Sequence, residues 1–253
     1  KIEISKLMCE TPSNPLLKMP NLKRLRHLAD KYEFLIVIDD TLGNFSNVSV
    51  LPFADIVVSS LTKLFSGACD VMGGSLVLNP KSKYYSKLQS ELAKSYEDLV
   101  FAGDADVLER NSRDFRARSE MINNNANEVV TLLAKSPEVL RVYYPSLHES
   151  KKYYDDVKTT SGGYGGLISI EFRREQDSRA FYDALEVAKG PSLGTNFTLS
   201  CPFTILAHYK ELEEIKKWGV PRFLVRVSVG LEDISTLKKV IQCSLNAVSK
   251  LNV

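Results

Sequence analysis

Histidine and cysteine are scarce in this chain of 253 residues, and each shortage removes a class of function. The three histidines, His27, His148 and His208, lie far apart and in no metal-ligand spacing, so no metal site is expected. The four cysteines, Cys9, Cys69, Cys201 and Cys243, include no CxxC pair, which points to reduced thiols in a cytoplasmic protein. No apolar run approaches the ~20 residues that a membrane-spanning helix needs. The opening stretch KIEISKLMCETPSNP lacks the apolar segment of a signal peptide. There is no basic arm and no lysine-arginine tract, and the net charge is +2, so neither nucleic acid nor membrane is expected as a partner. The chain begins at Lys1, without an initiator methionine, and reaches motif-like sequence by Glu10, as a piece of a longer polypeptide would.

What is present reads as a globular protein. Hydrophobic residues make up 44% and charged residues 25%, enough for one large or two ordinary domains. Pro20 opens a helix in which Leu22, Leu25, Leu28 and Tyr32 fall three or four apart. FLIVI (34–38) reads as a strand buried on both faces, followed by strands at DIVVSS near 56 and SLVLN near 75. Strand, crossover and strand again imply an α/β layered domain. A helix is expected over 80–96, opened by Pro80, and a long one from 105 to about 135, carrying Leu108, Phe115, Ile122 and Val129. LISIEF (167–172), a helix near 177–188, FLVRVSV (223–229) and a terminal helix from Asp233 suggest a smaller α+β domain. The expected division is 1–135 and 136–253.

Four constellations carry chemistry. Lys63 lies past a strand in SSLTKLFSGACDVMGG, beside Ser60 and Thr62. A lysine there has the parts of a Schiff-base site, with hydroxyls to hold a phosphate, although most lysines at strand ends are surface residues. Asp39 and Asp40 end FLIVI, where ligands of open α/β sheets collect. A carboxylate there can keep a pyridine nitrogen protonated, or can merely cap a turn toward Thr41 and Gly43. Arg226 interrupts FLVRVSV, and its guanidinium suits an amino-acid carboxylate unless the strand only alternates with one solvated face. Glu10 and Asn14 flank prolines in ETPSNP, a stiff loop whose amide can bond a cofactor's ring oxygen or serve only a turn.

In the order ETPSNP, VIDD, SSLTK, LER, VYYPSL, SLG, LVRVSVGLED, the chain resembles the cystathionine gamma-synthase family of pyridoxal-phosphate enzymes, most of all its fungal branch. The resemblance covers nearly the whole chain. It implies the type I fold of such transferases, with a partial large domain built on a mixed, mostly parallel sheet and a smaller α+β domain. It implies pyridoxal 5'-phosphate as cofactor. The implied reaction is γ-replacement, joining an O-acyl-homoserine and cysteine into cystathionine. A related lyase or sulfhydrylase, or a cofactor-free chain acting by association, is the alternative. Lys63 then matches the Schiff-base lysine, Asp39 the partner of the pyridine nitrogen, and Ser60 and Thr62 the phosphate ligands. Asn14 matches the asparagine near the ring hydroxyl, and Ser192 and Arg226 match positions that bind the substrate α-carboxylate. Small amino acids are the implied substrates and a homo-oligomer the implied assembly. Asp40 stands where the family usually has asparagine, and Thr195 and Phe197 replace its usual glycine and glutamate. The family's amino-terminal part, with a glycine-rich phosphate turn and a stacking aromatic ring, has no counterpart here. A sheet edge and an apolar face are therefore expected to be exposed.

Overall fold

In the computed structural model, which describes residues 5–252 (Asn252 without its side chain), the short apolar runs of the first third become strands. They are β1 (Lys6–Glu10), β2 (Leu35–Asp39), β3 (Ile56–Ser60) and β4 (Gly74–Leu78). Isoleucine and valine dominate β2 and β3 because branched side chains pack well on a pleated surface. β1, β2 and β3 are parallel neighbours, and β4 pairs antiparallel with β3. The register sets Glu10 opposite Asp39 and Asp39 opposite Val58, so the carboxyl ends of three strands share one rim. Parallel strands need a crossover, and α1 (Leu22–Tyr32) supplies it between β1 and β2. Asn21 caps this helix by accepting from Arg24 N at 3.0 Å, and the turn after it places Glu33 in the left-handed region at φ 59°. Arg26 on α1 reaches the buried Asp55 at 3.0 Å. Asp55 also accepts from Ile36 N at 2.8 Å and from the Ser82 hydroxyl at 2.5 Å, which fastens the starts of β2 and β3.

Three expectations change here. β2 is not buried on both faces: Ile36 and Ile38 are fully buried, while Leu35 and Val37 are only half covered. Met8, Leu76 and Val77 on the outer strands are exposed. The helix expected from Pro80 starts later, as α2 (Tyr85–Ser95). Asn79 is the cause. Its amide donates to the Leu51 and Ala54 carbonyls, its oxygen accepts from Lys81 N, and its carbonyl accepts from Ser82 N, so the chain turns before it coils. The helix α3 (Ala102–Ser112) follows, and later the short α5 (Lys151–Asp155). The helix α4 (Phe115–Lys135) is separate from α3, because the expected long helix breaks at Arg113 and Asp114. The described residues through Ser13, with Lys18–Phe115 and Glu149–Gly162, form one unit.

The second unit comprises Asn14–Leu17, Arg116–His148 and the described chain from Gly163 onward, a division that differs from a cut at 135. Its sheet has the order β5 (Val139–Tyr143), β6 (Leu167–Phe172), β9 (Val225–Ser228), β8 (Leu199–Pro202), β7 (Ala188–Lys189). All pairs are antiparallel except β7 with β8. The helices are α4, α6 (Glu175–Ala184), α7 (Phe203–His208), α8 (Leu212–Lys217) and α9 (Ile234–Ser249). The apolar stripe of α4, with Ala126, Val129, Val130 and Leu133, joins one core with Ile168, Ile170, Phe181, Val227, Leu237, Ile241 and Leu245. That burial assigns α4 to this unit, each fully covered large side chain contributing about 1.5–3 kcal/mol. Asp233 caps α9 by accepting from Thr236 N at 3.0 Å. Among the described residues no helix is long and apolar enough to cross a membrane.

Candidate active site

The first group of site residues stands on the rim where β2 and β3 end. Asp39 is the last residue of β2. Its Oδ1 accepts from Thr41 N at 2.9 Å, so it does cap the turn, while Oδ2 has no hydrogen-bond partner among the described residues. The Thr41 hydroxyl in turn accepts from Ser60 N at 2.9 Å, linking the ends of the two strands. Ser60 closes β3, and nothing among the described residues bonds its hydroxyl. Thr62 accepts from Gly73 N at 3.0 Å and donates to Gly73 O at a long 3.4 Å, so its hydroxyl hydrogen is only weakly engaged. Lys63 sits in the turn Leu61–Phe65, where its backbone leaves helical geometry at φ −82°, ψ −126°. Leu61 N donates to Gly73 O at 2.9 Å and Gly67 N to Lys63 O at 2.7 Å, holding this turn against β4. A lysine, an aspartate, a serine and a threonine thus stand at, or just past, the carboxyl ends of neighbouring parallel strands, the place where α/β sheets bind ligands. This donor set fits an aldehyde cofactor that carries a basic ring nitrogen and a phosphate.

Asp40 points elsewhere. It is 2% exposed, and its Oδ2 accepts from Phe45 N at 3.1 Å, but its Oδ1 is buried with no partner. Burial pushes this carboxyl up to about 8, and the charge of Asp39 adds to that, while the Phe45 amide and the Thr11 hydroxyl pull the other way. It borders a cavity of about 240 Å³ lined largely by Phe45, Val48, Val50, Leu51, Val57 and Val77.

The second group surrounds Arg226. The residue is 3% exposed, so a solvated strand face is ruled out. Its guanidinium donates to Asn14 Oδ1 at 3.1 Å, to Pro191 O at 2.5 Å and to Ser192 O at 3.0 Å. It also lies 4.6 Å from the centre of the Phe203 ring, and Cys201 is its cross-strand neighbour on β8. Burial lowers its pKa, and the Cys201 thiol acts in the opposite sense. No carboxylate pairs with it among the described residues. A buried guanidinium held by carbonyls and an aromatic face is ready for an anion that those groups do not supply. Ser192 contributes its carbonyl to this cluster. The loop after it is braced: Thr198 bonds Glu232 through both N and Oγ1, the latter at 2.8 Å, and Thr195 Oγ1 donates to Phe197 O at 2.5 Å.

Lys63, Asp39, Ser60 and Thr62 therefore fall on the first unit, and Asn14, Ser192 and Arg226 on the second. Sequence reasoning took Thr41 only as part of a turn and Gly73 only as a place of close backbone approach, and it overlooked Phe203. The pairing of Phe203 with Arg226 has no local signal, because it arises from the β8–β9 register.

The fold is the type I architecture of pyridoxal-phosphate enzymes. A family model described as "Cys/Met metabolism PLP-dependent enzyme" matches residues 3–246, and the chain belongs to that family. Cystathionine gamma-synthase of Neurospora crassa is 52% identical over 244 residues, which cover 96% of this chain and 39% of that protein. The cystathionine gamma-synthase of Saccharomyces cerevisiae is 49% identical over 248 residues, 95% of this chain and 39% of its own length. Cystathionine gamma-synthase from Xanthomonas oryzae pv. oryzae, solved in complex with cystathionine, superimposes with a TM-score of 0.88 at 28% identity, over 97% of this chain and 64% of that one. The chain spans about two fifths of the length of these curated relatives.

Proposed function

We propose that this chain is the catalytic part of a cystathionine gamma-synthase that uses pyridoxal 5'-phosphate to join an O-acyl-homoserine to cysteine. When bound, that cofactor supplies an aldehyde for covalent attachment and a ring that withdraws electrons from the substrate. Lys63 Nζ would be the attachment point and, as a free amine, would take the proton from Cα and move protons at Cβ. Asp39 Oδ2 would pair with the protonated ring nitrogen. The Ser60 and Thr62 hydroxyls would donate to the phosphate. The Arg226 guanidinium grips the α-carboxylate, with Asn14 and Ser192 fixing its plane. Asn14 also offers its amide to the ring hydroxyl.

What supports this reading is that Asp39 ends β2 while Lys63 follows, three residues on, the end of the adjacent parallel strand β3, whose Ser60 N is tied to the Thr41 hydroxyl. The choice of γ-replacement rests on the relatives from Neurospora crassa and Saccharomyces cerevisiae. A homo-oligomer working in the cytoplasm on small amino acids is part of the same proposal. The test is product analysis with an O-acyl-homoserine and either cysteine or sulfide. Cystathionine formed from cysteine supports the reading. Homocysteine from sulfide alone, or a keto acid with either nucleophile, assigns a sulfhydrylase or a lyase instead.

A further inference from the structure

Asp40 is a buried acid that the proposed chemistry leaves unused. Its Oδ1 is sealed without a hydrogen-bond partner, although a carboxylate oxygen ordinarily attracts donors strongly. A Cβ added at Gly43 would lie 2.0 Å from Asp40 Oδ1, 2.4 Å from Val48 Cγ2 and 2.9 Å from the Thr11 carbonyl oxygen. The acid oxygen, the Val48 methyl and the Thr11 carbonyl thus all border one small space beside Gly43. An ionised oxygen enclosed there lacks a donor, whereas a protonated one brings its own hydrogen to a space that a carbonyl lines.

The same residue holds the rim through its other atoms. Asp40 N donates to Val58 O at 2.9 Å, its carbonyl accepts from Asn44 N at 2.8 Å, and Oδ2 holds Phe45 N. Asn44 and Phe45 sit at φ 57° and 59°, a left-handed pair that non-glycine residues adopt only when held. Asp39 Oδ1 and Thr11 N, donating to Asp39 O at 2.9 Å, belong to the same knot.

We propose that Asp40 is a positioning residue stored as the neutral acid, its proton directed to the Thr11 carbonyl, and that it acts through Asp39 by keeping a single negative charge on the rim. This deepens the proposed function and rests on it only in naming the ring nitrogen as the partner of Asp39. The elevated acidity constant agrees with the geometry. Asp39 is the charged neighbour acting on Asp40, and the groups that face it from the other elements, Thr11, Ser49, Val57 and Thr159, do not titrate. A neutral acid carries a proton that can leave. Its loss at alkaline pH places a second charge beside Asp39 and strengthens the hold on the ring-nitrogen proton.

Carbon-13 carboxyl NMR of the full chain labelled at aspartate tests this, with Asp39→Asn and Asp40→Asn as assignments. The expected result is an Asp40 resonance that is protonated at neutral pH and titrates near pH 8. The Asp39 resonance should shift at the same midpoint, and that shift should vanish in Asp40→Asn. With pyridoxal 5'-phosphate bound, the alkaline inflection in cofactor absorbance should likewise be lost in Asp40→Asn. An Asp40 resonance already ionised at neutral pH overturns the proposal. So does an Asp39 resonance that ignores the titration of Asp40, or one that keeps the inflection in Asp40→Asn. Should Asp40→Asn not fold, through-bond correlation to the assigned backbone identifies the Asp40 carboxyl in the wild type, whose titration then decides. Failure to bind the cofactor would instead count against the proposed function, since the NMR titration needs none.

Discussion

Asparagine at position 40 should make the protein more stable at neutral pH, and the size of the gain follows from proton linkage. The Asp40 carboxyl has an ordinary value of 3.8 and is raised to about 8 in the fold. Below pH 3.8 it is protonated whether folded or not, so its contribution is fully present. Between that value and about 8 the unfolded chain releases the proton and the folded chain keeps it, so stability falls as pH rises, then levels off. Each pH unit in that window is worth about 1.4 kcal/mol, which amounts to about 4 kcal/mol at pH 7. Asparagine is neutral throughout, can still accept from Phe45 N, and can offer its amide to the Thr11 carbonyl. Asp40→Asn and the wild type should therefore be equally stable near pH 4 and diverge steadily above it. Such a gap is a large share of a total of about 5–15 kcal/mol. Urea denaturation of both proteins from pH 4 to 8 measures it, and other titrating groups cancel in the difference. A difference that does not vary with pH, or a variant less stable at pH 7, refutes the reasoning.

Four further outcomes are expected. Lys63→Ala should lose covalent retention of the cofactor after borohydride, seen by mass spectrometry, and turnover should fall by at least ~10³-fold. Arg226→Lys keeps the charge but loses the planar fork, so KM for the amino-acid substrate should rise more than about 10-fold with a smaller change in kcat. Phe181→Ala empties a fully buried site in the second unit and should cost about 3–5 kcal/mol by chemical denaturation. Asp233→Ala removes the cap of α9 and should cost about 1 kcal/mol, with asparagine restoring most of it.

The elements that announced themselves in the sequence are those whose causes lie within a few residues. LISIEF became β6 over the same six residues, and the terminal helix begins immediately after Asp233, because pattern and cap act locally. The places of Asp39 and Ser60 at strand ends, and of Thr62 and Lys63 just beyond, were legible for the same reason. Each sits where an apolar run gives way to polar residues, which marks the carboxyl end of a strand. The break at Arg113 and Asp114 was not legible, since the apolar spacing of Leu108, Phe115, Ile122 and Val129 runs on across it. Asn79 delayed α2 through bonds to residues 25 and 28 positions earlier in the chain.

The residues alone thus determined which side chains end which strands, and with them the chemistry on offer. Tertiary structure decided which of those groups lose water. Arg226 reads as a residue of an alternating strand until the Pro191 and Ser192 carbonyls and the Phe203 ring enclose its guanidinium and Asn14, 212 positions away, accepts its hydrogen bond. Asp40 differs from Asp39 only by the alternation of an extended chain, yet one carboxyl meets the rim and the other meets Gly43, Val48 and the Thr11 carbonyl. Burial depends on what distant segments bring to a site, and no local pattern encodes it.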